Sequence, residues 1–562
     1  MTPPTKSRLG KVAVAVLAGA VALTVTACAE SGRGDGNQPP GGQAKTGGTM
    51  TFGAAGAPET FDPFYATDGE TFRVTRQIYD GLVTFKPGTA DVAPALAESW
   101  ESNADGTAWT FKLRSGVKFH DGTDFNADAV CANFKRMYDQ KGAGQSESVT
   151  TYWIDNLGPG FSDGAKPSLY KGCTVKDPTT VMLEVNNSTS KMPSILGLPA
   201  FSMQSPAAME KYDANNVKAQ GDSFSYPAYA LEHPTGTGPF KFSKYDKGNN
   251  TIELVRNENY WGDVSLDKLV FKIIPDETAR KQELQAGTID GFDFPSPADW
   301  ENLKKDGFNV QVRPAFNILY LGITEKNNPA LKDLRVRKAL AYAINRDQIV
   351  KSQLPEGASV ATQFIPNTVD GYNGDLKPYP YDPEKAKSLL TEAGASNLAV
   401  NFYWPSEVTR PYMPNPRDIF GSIQADLQKV GITVNPITKP WNGGYLDDVD
   451  EARADLFLLG WTGDYNTEDN FIGSFFGSPT NRFYTVDTFG KELSDMIKKA
   501  DAEPDAAKRV QMYKDLNRKI MEDYLPAVPI SHSPPALVTS KKVQNLIPSP
   551  LTAEEFNTVT LS

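Results

Sequence analysis

The residue with the sharpest chemical implication is Asp464, in the stretch GWTGDYNTEDNF (Gly460–Phe471), which directly follows the apolar run ADLFLLG. A carboxylate at a strand end beside Trp461, Gly463 and Tyr465 costs several kcal/mol if desolvated without a cation. Asp464 is therefore either a solvated loop acid or the acceptor of a cationic group on a ligand. Arg410, in SEVTRPYMPNPRDIF, offers the opposite charge between a strand and a helix of the same region. Its planar fork can meet a carboxylate with two parallel hydrogen bonds. One acid and one arginine at the same sheet edge suit a zwitterion such as a free peptide; the alternative for Arg410 is a cap or a pair with Asp418. The loop aromatics Trp404, Trp441, Trp461, Tyr412 and Tyr465 either pack in the core or line that site.

Catalysis has no comparable support. The three histidines, His120, His233 and His532, are widely spread, and no zinc-protease, nucleophile-elbow, dithiol or phosphate-loop motif occurs. GTGPF at Gly236 is a turn. Two cysteines without a histidine cluster make half a metal site, so neither metal nor cofactor is expected.

The elements that must position Asp464 and Arg410 follow from Ala399 onward: AVNFYW, RDIFGSIQADLQKVG, ITVNPI and ADLFLLGW read as strand, helix, strand, strand. Ile419, Ile423, Leu427 and Val430 have helical spacing, which implies a right-handed crossover and a partly parallel sheet. Ligands gather at the carboxyl ends of such strands, where GWTGD lies. Elsewhere, Trp109, Phe111 and Leu113 alternate, as do Val117 and Phe119 after Ser115-Gly116, predicting a hairpin. Asn126 caps a helix through Met137, and Asp382, Pro383 and Gly394 frame another. Two extended runs, near 310–324 and 523–540, read as crossings between two lobes able to close by hinge motion.

At the amino end, Lys6, Arg8 and Lys11 precede the apolar run VAVAVLAGAVALTV and a small-residue cleavage site, a secretory leader too short to span a membrane comfortably. LTVTAC, ending at Cys28, resembles the lipobox cut before a lipid-bearing cysteine. The Gly- and Pro-rich segment after it is a flexible leash, and lipid anchoring contributes about 0.8 kcal/mol per buried methylene. No later apolar stretch is long enough to span. Removing residues 1–27 takes away three cations and no acids, so the formal charge of −11 becomes −14, which argues against nucleic acid. Cys131 and Cys173 are then the only cysteines besides Cys28. In an oxidising compartment they should pair, closing a loop of about forty residues worth about 4 kcal/mol. What remains is too long for one core.

LAESWESNADGTAWTFKLRSGVKFHDGTDFNADAV from Leu96, PTGTGPFKF from Pro234, LVRNENYWGD from Leu254 and LKDLRVRKALAYAINRDQIV from Leu331 resemble the solute-binding proteins of peptide and nickel ABC importers. RPYMPN with GWTGDYNTEDNF is most similar to the dipeptide-binding branch. The resemblance implies an α/β, two-lobed periplasmic-binding-protein-like clamp of type II, cluster C, with lobes joined by two crossing strands. It divides the chain into a leader (1–27), a tether (28–48), lobe I (49–90, 201–312 and 528–562), an inserted subdomain (91–200) and lobe II (313–527). By motif, Asp464 would take a peptide's α-ammonium and Arg410 its α-carboxylate. Thr67, Gly69 and Gly463 would meet its main chain, and Trp461, Tyr412 and Trp404 would line side-chain pockets. DYNTEDNF lacks a proline usual at that point and MPN replaces NPN, which bears on ligand length before ligand class. The expectation is a monomeric, lipid-anchored, extracytoplasmic receptor for di- to tetrapeptides serving a membrane permease. Haem or a metal chelate is the rival ligand, and a surface peptidase the rival activity.

Overall fold

The computed structural model describes residues 47–562 apart from 222, 407, 479 and 504. The leader, Cys28 and almost all of the tether fall outside the described residues. Among those described, no helix is long and apolar enough to cross a membrane.

Three sheets carry the architecture. In a seven-stranded sheet, Thr49–Ala54 runs parallel to Lys268–Ile273 on one side and Gly291–Asp293 on the other. Met50, Phe52, Leu254, Leu269 and Phe271 fill its core together with Phe556 from the carboxyl-terminal segment. A six-stranded sheet has Asn317–Ile323 at its centre, between Leu456–Thr462 and Ala527–His532. All seven residues of that central strand are buried, as expected of a strand covered on both faces. A four-stranded antiparallel sheet, formed between Ala97 and Val185, packs against the helix Ala127–Tyr138. The disulfide Cys131–Cys173, with Cα atoms 5.4 Å apart, staples that helix to the edge strand Tyr170–Asp177.

The chain passes twice between the two larger sheets. It leaves the first after Asn309–Val312 and enters the second at Asn317; it returns from Ala527–His532 to Ala536–Thr539. The crossings hold each other. Asn317 Nδ2 donates to the Ser533 carbonyl at 2.7 Å, Ser533 N–H to Asn317 Oδ1 at 3.0 Å, and Arg313 N–H to the Pro535 carbonyl at 2.8 Å. The fully buried Arg313 guanidinium reaches Asp293 and Glu554, each at 2.7 Å, and Arg73 reaches the other oxygen of Asp293 at 2.6 Å. Burial alone would raise the pKa of Asp293, but Arg313 and then Arg73 overcome it and hold the carboxyl below its usual range.

The capping signals are realised. Asn126 accepts from Ala129 N–H at 2.9 Å, and Asp382 accepts from Lys385 N–H at 2.9 Å ahead of the helix Pro383–Glu392, with Gly394 beyond it at φ +69°. The strand–helix–strand–strand pattern is present: Ala399–Pro405 lies parallel to both Thr433–Lys439 and Leu456–Thr462, with the helix Pro416–Lys429 crossing over. The hairpin is not. Ala108–Leu113 has both edges taken, by Ala97–Ser102 and by Thr180–Val185, so no edge remains for the segment after Ser115-Gly116. Val117 and Phe119 are buried, 3% and 2% exposed, in a tight turn in which Phe119 N–H donates to the Thr123 carbonyl. Alternation there records docking on the core and a short local bridge, Lys118 with Asp124, rather than pairing with Ala108–Leu113.

Candidate ligand-binding site

The run Leu456–Leu459 is buried in the centre of the second sheet, and two glycines let its end approach other chains closely. A Cβ on Gly460 would lie 2.2 Å from the Ile318 carbonyl oxygen and 2.4 Å from the Tyr412 ring; one on Gly463 would lie 2.3 Å from Phe316. Only glycine fits either position, and the backbone then turns to present Asp464. Asp464 N–H donates to Asn470 Oδ1 at 2.8 Å, and Trp461 Nε1–H reaches the same oxygen at 3.4 Å.

Asp464 opens on a cavity of about 500 Å³ whose walls come from several parts of the chain. Gly69, Phe72 and Arg76 supply one face of the helix Gly69–Ile78, Tyr152 comes from the inserted segment, and Glu555 from the carboxyl-terminal segment. Asp68 caps that helix, accepting from Glu70 and Thr71 N–H at 2.9 and 3.0 Å. Burial first, and Asp155 second, push the Asp464 carboxyl up to about 7, against the pull of Asn470, Arg76 and Tyr152. Burial pulls the Arg76 guanidinium down to about 10, partly opposed by Glu554. Among the described residues neither Asp464 nor Arg76 has an ion-pair partner. A cationic ligand group placed beside Asp464 would restore its charge and remove the cost of its burial.

The other sequence-predicted residues are distributed as follows. Gly69 and Gly463 line the cavity with Asp464, but Gly463 N–H is spent on the Phe316 carbonyl at 2.9 Å, which leaves its own carbonyl for a ligand. Thr67 is exposed beside the helix cap. Arg410 is half-buried with its guanidinium 4.3 Å from the Trp441 ring centre and its Nε unpartnered. It makes no pair with Asp418, which instead accepts from Asn415 Nδ2 at 2.7 Å. Tyr412 is 5% exposed against Gly460, Trp404 stacks on Phe420 with ring centres 5.2 Å apart, and Trp461 meets Phe475 edge-on. Arg410, Tyr412, Trp404, Trp461 and Thr67 are not among the residues lining this cavity. Sequence reasoning missed Arg76, Tyr152 and Glu555. Of these only Arg76 had a local signal, its i, i+3, i+7 spacing with Gly69 and Phe72 on a capped helix.

A family model for bacterial extracellular solute-binding proteins, family 5 (middle region), matches residues 91–483. The chain belongs to that family. It is 34% identical to the dipeptide-binding protein of Escherichia coli over 533 residues, covering 92% of this chain and 95% of the relative. It is 33% identical over 525 residues to heme-binding protein A of Haemophilus influenzae, covering 92% of each. Among solved structures, the dipeptide-binding protein of Pseudoalteromonas sp. SM9913 in complex with Met-Leu matches with a TM-score of 0.76 at 27% identity, over 92% of this chain and all of that one. Family 5 membership makes the chain an extracytoplasmic solute-binding protein rather than an enzyme, with the two-lobed mixed α/β clamp of the type II periplasmic binding proteins.

Proposed function

We propose that this family 5 protein captures free short peptides, from dipeptides to tetrapeptides, and delivers them to the membrane permease of an ABC importer. The observation that carries the reading is Asp464: a carboxyl in a cavity with no cation paired to it among the described residues. An α-ammonium supplies that cation. Gly69 and the Gly463 carbonyl, which line the cavity, meet the main chain. Arg410, which lies outside it and has no acid partner among the described residues, would take the α-carboxylate of a peptide that extends beyond the cavity, with Thr67 meeting the main chain and Trp461, Tyr412 and Trp404 bordering the side chains. The dipeptide-binding relatives support the ligand class. Each charged hydrogen bond contributes about 1.5–3 kcal/mol regardless of peptide sequence. Heme-binding protein A points to haem instead, but none of the three histidines lines the cavity, and His120 and His532 are each engaged with a backbone carbonyl. The leader pattern supports acylation of Cys28, which would tether the protein, as a monomer, to the outer face of the membrane.

Calorimetric titration of a purified fragment beginning at Cys28 with Ala-Leu, N-acetyl-Ala-Leu and Ala-Leu-amide tests the assignment. Free peptide should bind at least tenfold tighter than either blocked form. Equal affinity for the acetylated peptide would remove Asp464 from its role, and equal affinity for the amide would remove Arg410.

A further inference from the structure

Lys191 belongs to the inserted segment, directly before the short helix Met192–Leu196, whose Met192, Ile195 and Leu196 lie in the core of that segment. Its ammonium crosses to lobe II, where it pairs with Asp469 and lies 3.5 Å from Asp501. The side chains of Lys191, Asp469 and Asp501 are 22%, 10% and 27% exposed, so the cluster is largely withdrawn from solvent. Burial opposes the charge on Lys191, yet Asp469 and then Asp501 reverse that effect and drive its pKa above the usual lysine value.

What Lys191 grips is the first turn of the helix Asp469–Phe476. The next residue, Asn470, is the one whose Oδ1 accepts from the backbone N–H of Asp464 at 2.8 Å. Thr467 donates to Asp469 at 2.6 Å, which ties the intervening loop to the same anchor. That loop meets the opposite side at further points. Tyr465 is 4% exposed within the core of the inserted segment, its hydroxyl 3.4 Å from Asn156 Oδ1. Asn466 reaches the Ala90 carbonyl at 3.3 Å and Asp91 Oδ1 at 3.1 Å. Three of the five residues after Asp464, namely Tyr465, Asn466 and Asp469, thus hold contacts across the cleft, and one lysine neutralises two acids that would otherwise face each other there.

We propose that Lys191 is a positioning residue for the ligand-binding acid: through Asp469 and Asn470 it sets the backbone that aims Asp464 into the cavity when the lobes are closed. The proposal rests on the peptide reading, because its function is to place a carboxylate for an ammonium. A role in closure alone would affect every ligand equally, whereas a positioning role falls on ligands that carry a free amine.

The test uses K191M, K191R and the double variant K191M/D464N, each titrated with Ala-Leu and N-acetyl-Ala-Leu. K191M should lose about tenfold or more for the free peptide while changing little for the acetylated one, so that the ratio of the two affinities collapses. K191R should restore most of that ratio, and K191M should add nothing to D464N. Circular dichroism and unfolding midpoints establish that the variants are folded. An equal loss for both peptides, or no loss for either, overturns the proposal while leaving the peptide reading intact. If the wild-type protein binds neither peptide, the peptide reading falls and takes this proposal with it.

Discussion

At the scale of the residue, Asp464 combines two opposing requirements. Without a ligand, burial and Asp155 favour the protonated carboxyl, with a midpoint at about 7; with an ammonium in place the carboxylate is favoured. The bound pKa therefore lies below the free one, and binding releases a proton wherever the free protein holds it. Affinity for free peptides should be highest above pH 7 and fall by up to about tenfold per pH unit on the acid side, until the bound state itself takes up the proton. N-acetylated peptides should show no such slope. D464N should flatten the slope and cost about 2–5 kcal/mol for free peptide at neutral pH. R76M should steepen the problem: Arg76 is one of the groups pulling the Asp464 pKa down, so its loss should move the midpoint of the affinity–pH curve upward. Titration over a pH series with each variant reads all three effects; a midpoint unchanged in R76M would show that the two charges do not communicate.

At the scale of the element, the crossings depend on one buried ion network. Arg313 binds Asp293 and Glu554 from different parts of the chain, next to where the backbone passes between sheets. Replacing it with Met would strand two buried carboxyls, and breaking a buried pair from one side costs about 3–5 kcal/mol. R313M should therefore lower the urea midpoint strongly while leaving the slope unchanged. Because Asp293 has a depressed pKa, its contribution is present above the unfolded-state pKa and lost as pH falls through the lower folded value, which adds to acid instability. What was legible in the sequence also divides at this scale. The helix ends at Asn126 and Asp382 and the strand–helix–strand run from Ala399 could be read because their signals are local: caps, prolines and spacing. Asp464 could be read because it sits within a few residues of the strand it terminates. The pairing of Ala108–Leu113 could not, since one partner, Ala97–Ser102, lies just upstream and the other, Thr180–Val185, far off in sequence, and alternation does not say which neighbour fills an edge. Tyr152 and Glu555 were invisible because each reaches the cavity only after the segments that carry them have packed, whereas Arg76 left a local trace in its spacing with Gly69 and Phe72 on a capped helix.

At the scale of the whole molecule, the cavity is walled by segments that would otherwise unfold with different stabilities. The inserted segment carries the disulfide, whose 42-residue separation makes it worth about 4 kcal/mol in the chain-entropy model. Cys131 and Cys173 pack against the same core that receives Tyr152 and, from lobe II, Tyr465. Removing the bridge with C131S/C173S should weaken that segment first, and unfolding followed by both fluorescence and calorimetry should then show an early transition absent from the oxidised protein. The ligand opposes this loss. A ligand that binds only the folded protein at a hundred times its Kd adds about 2.7 kcal/mol. Since Tyr152 lines the cavity, that stabilisation should reach the inserted segment as well as the lobe carrying Asp464. Saturating Ala-Leu should therefore merge the two transitions of C131S/C173S back toward one, recovering about two-thirds of the lost stability. If peptide raises only the later transition and leaves the early one in place, the inserted segment contributes nothing to the bound state, and Tyr152 does not belong to the site.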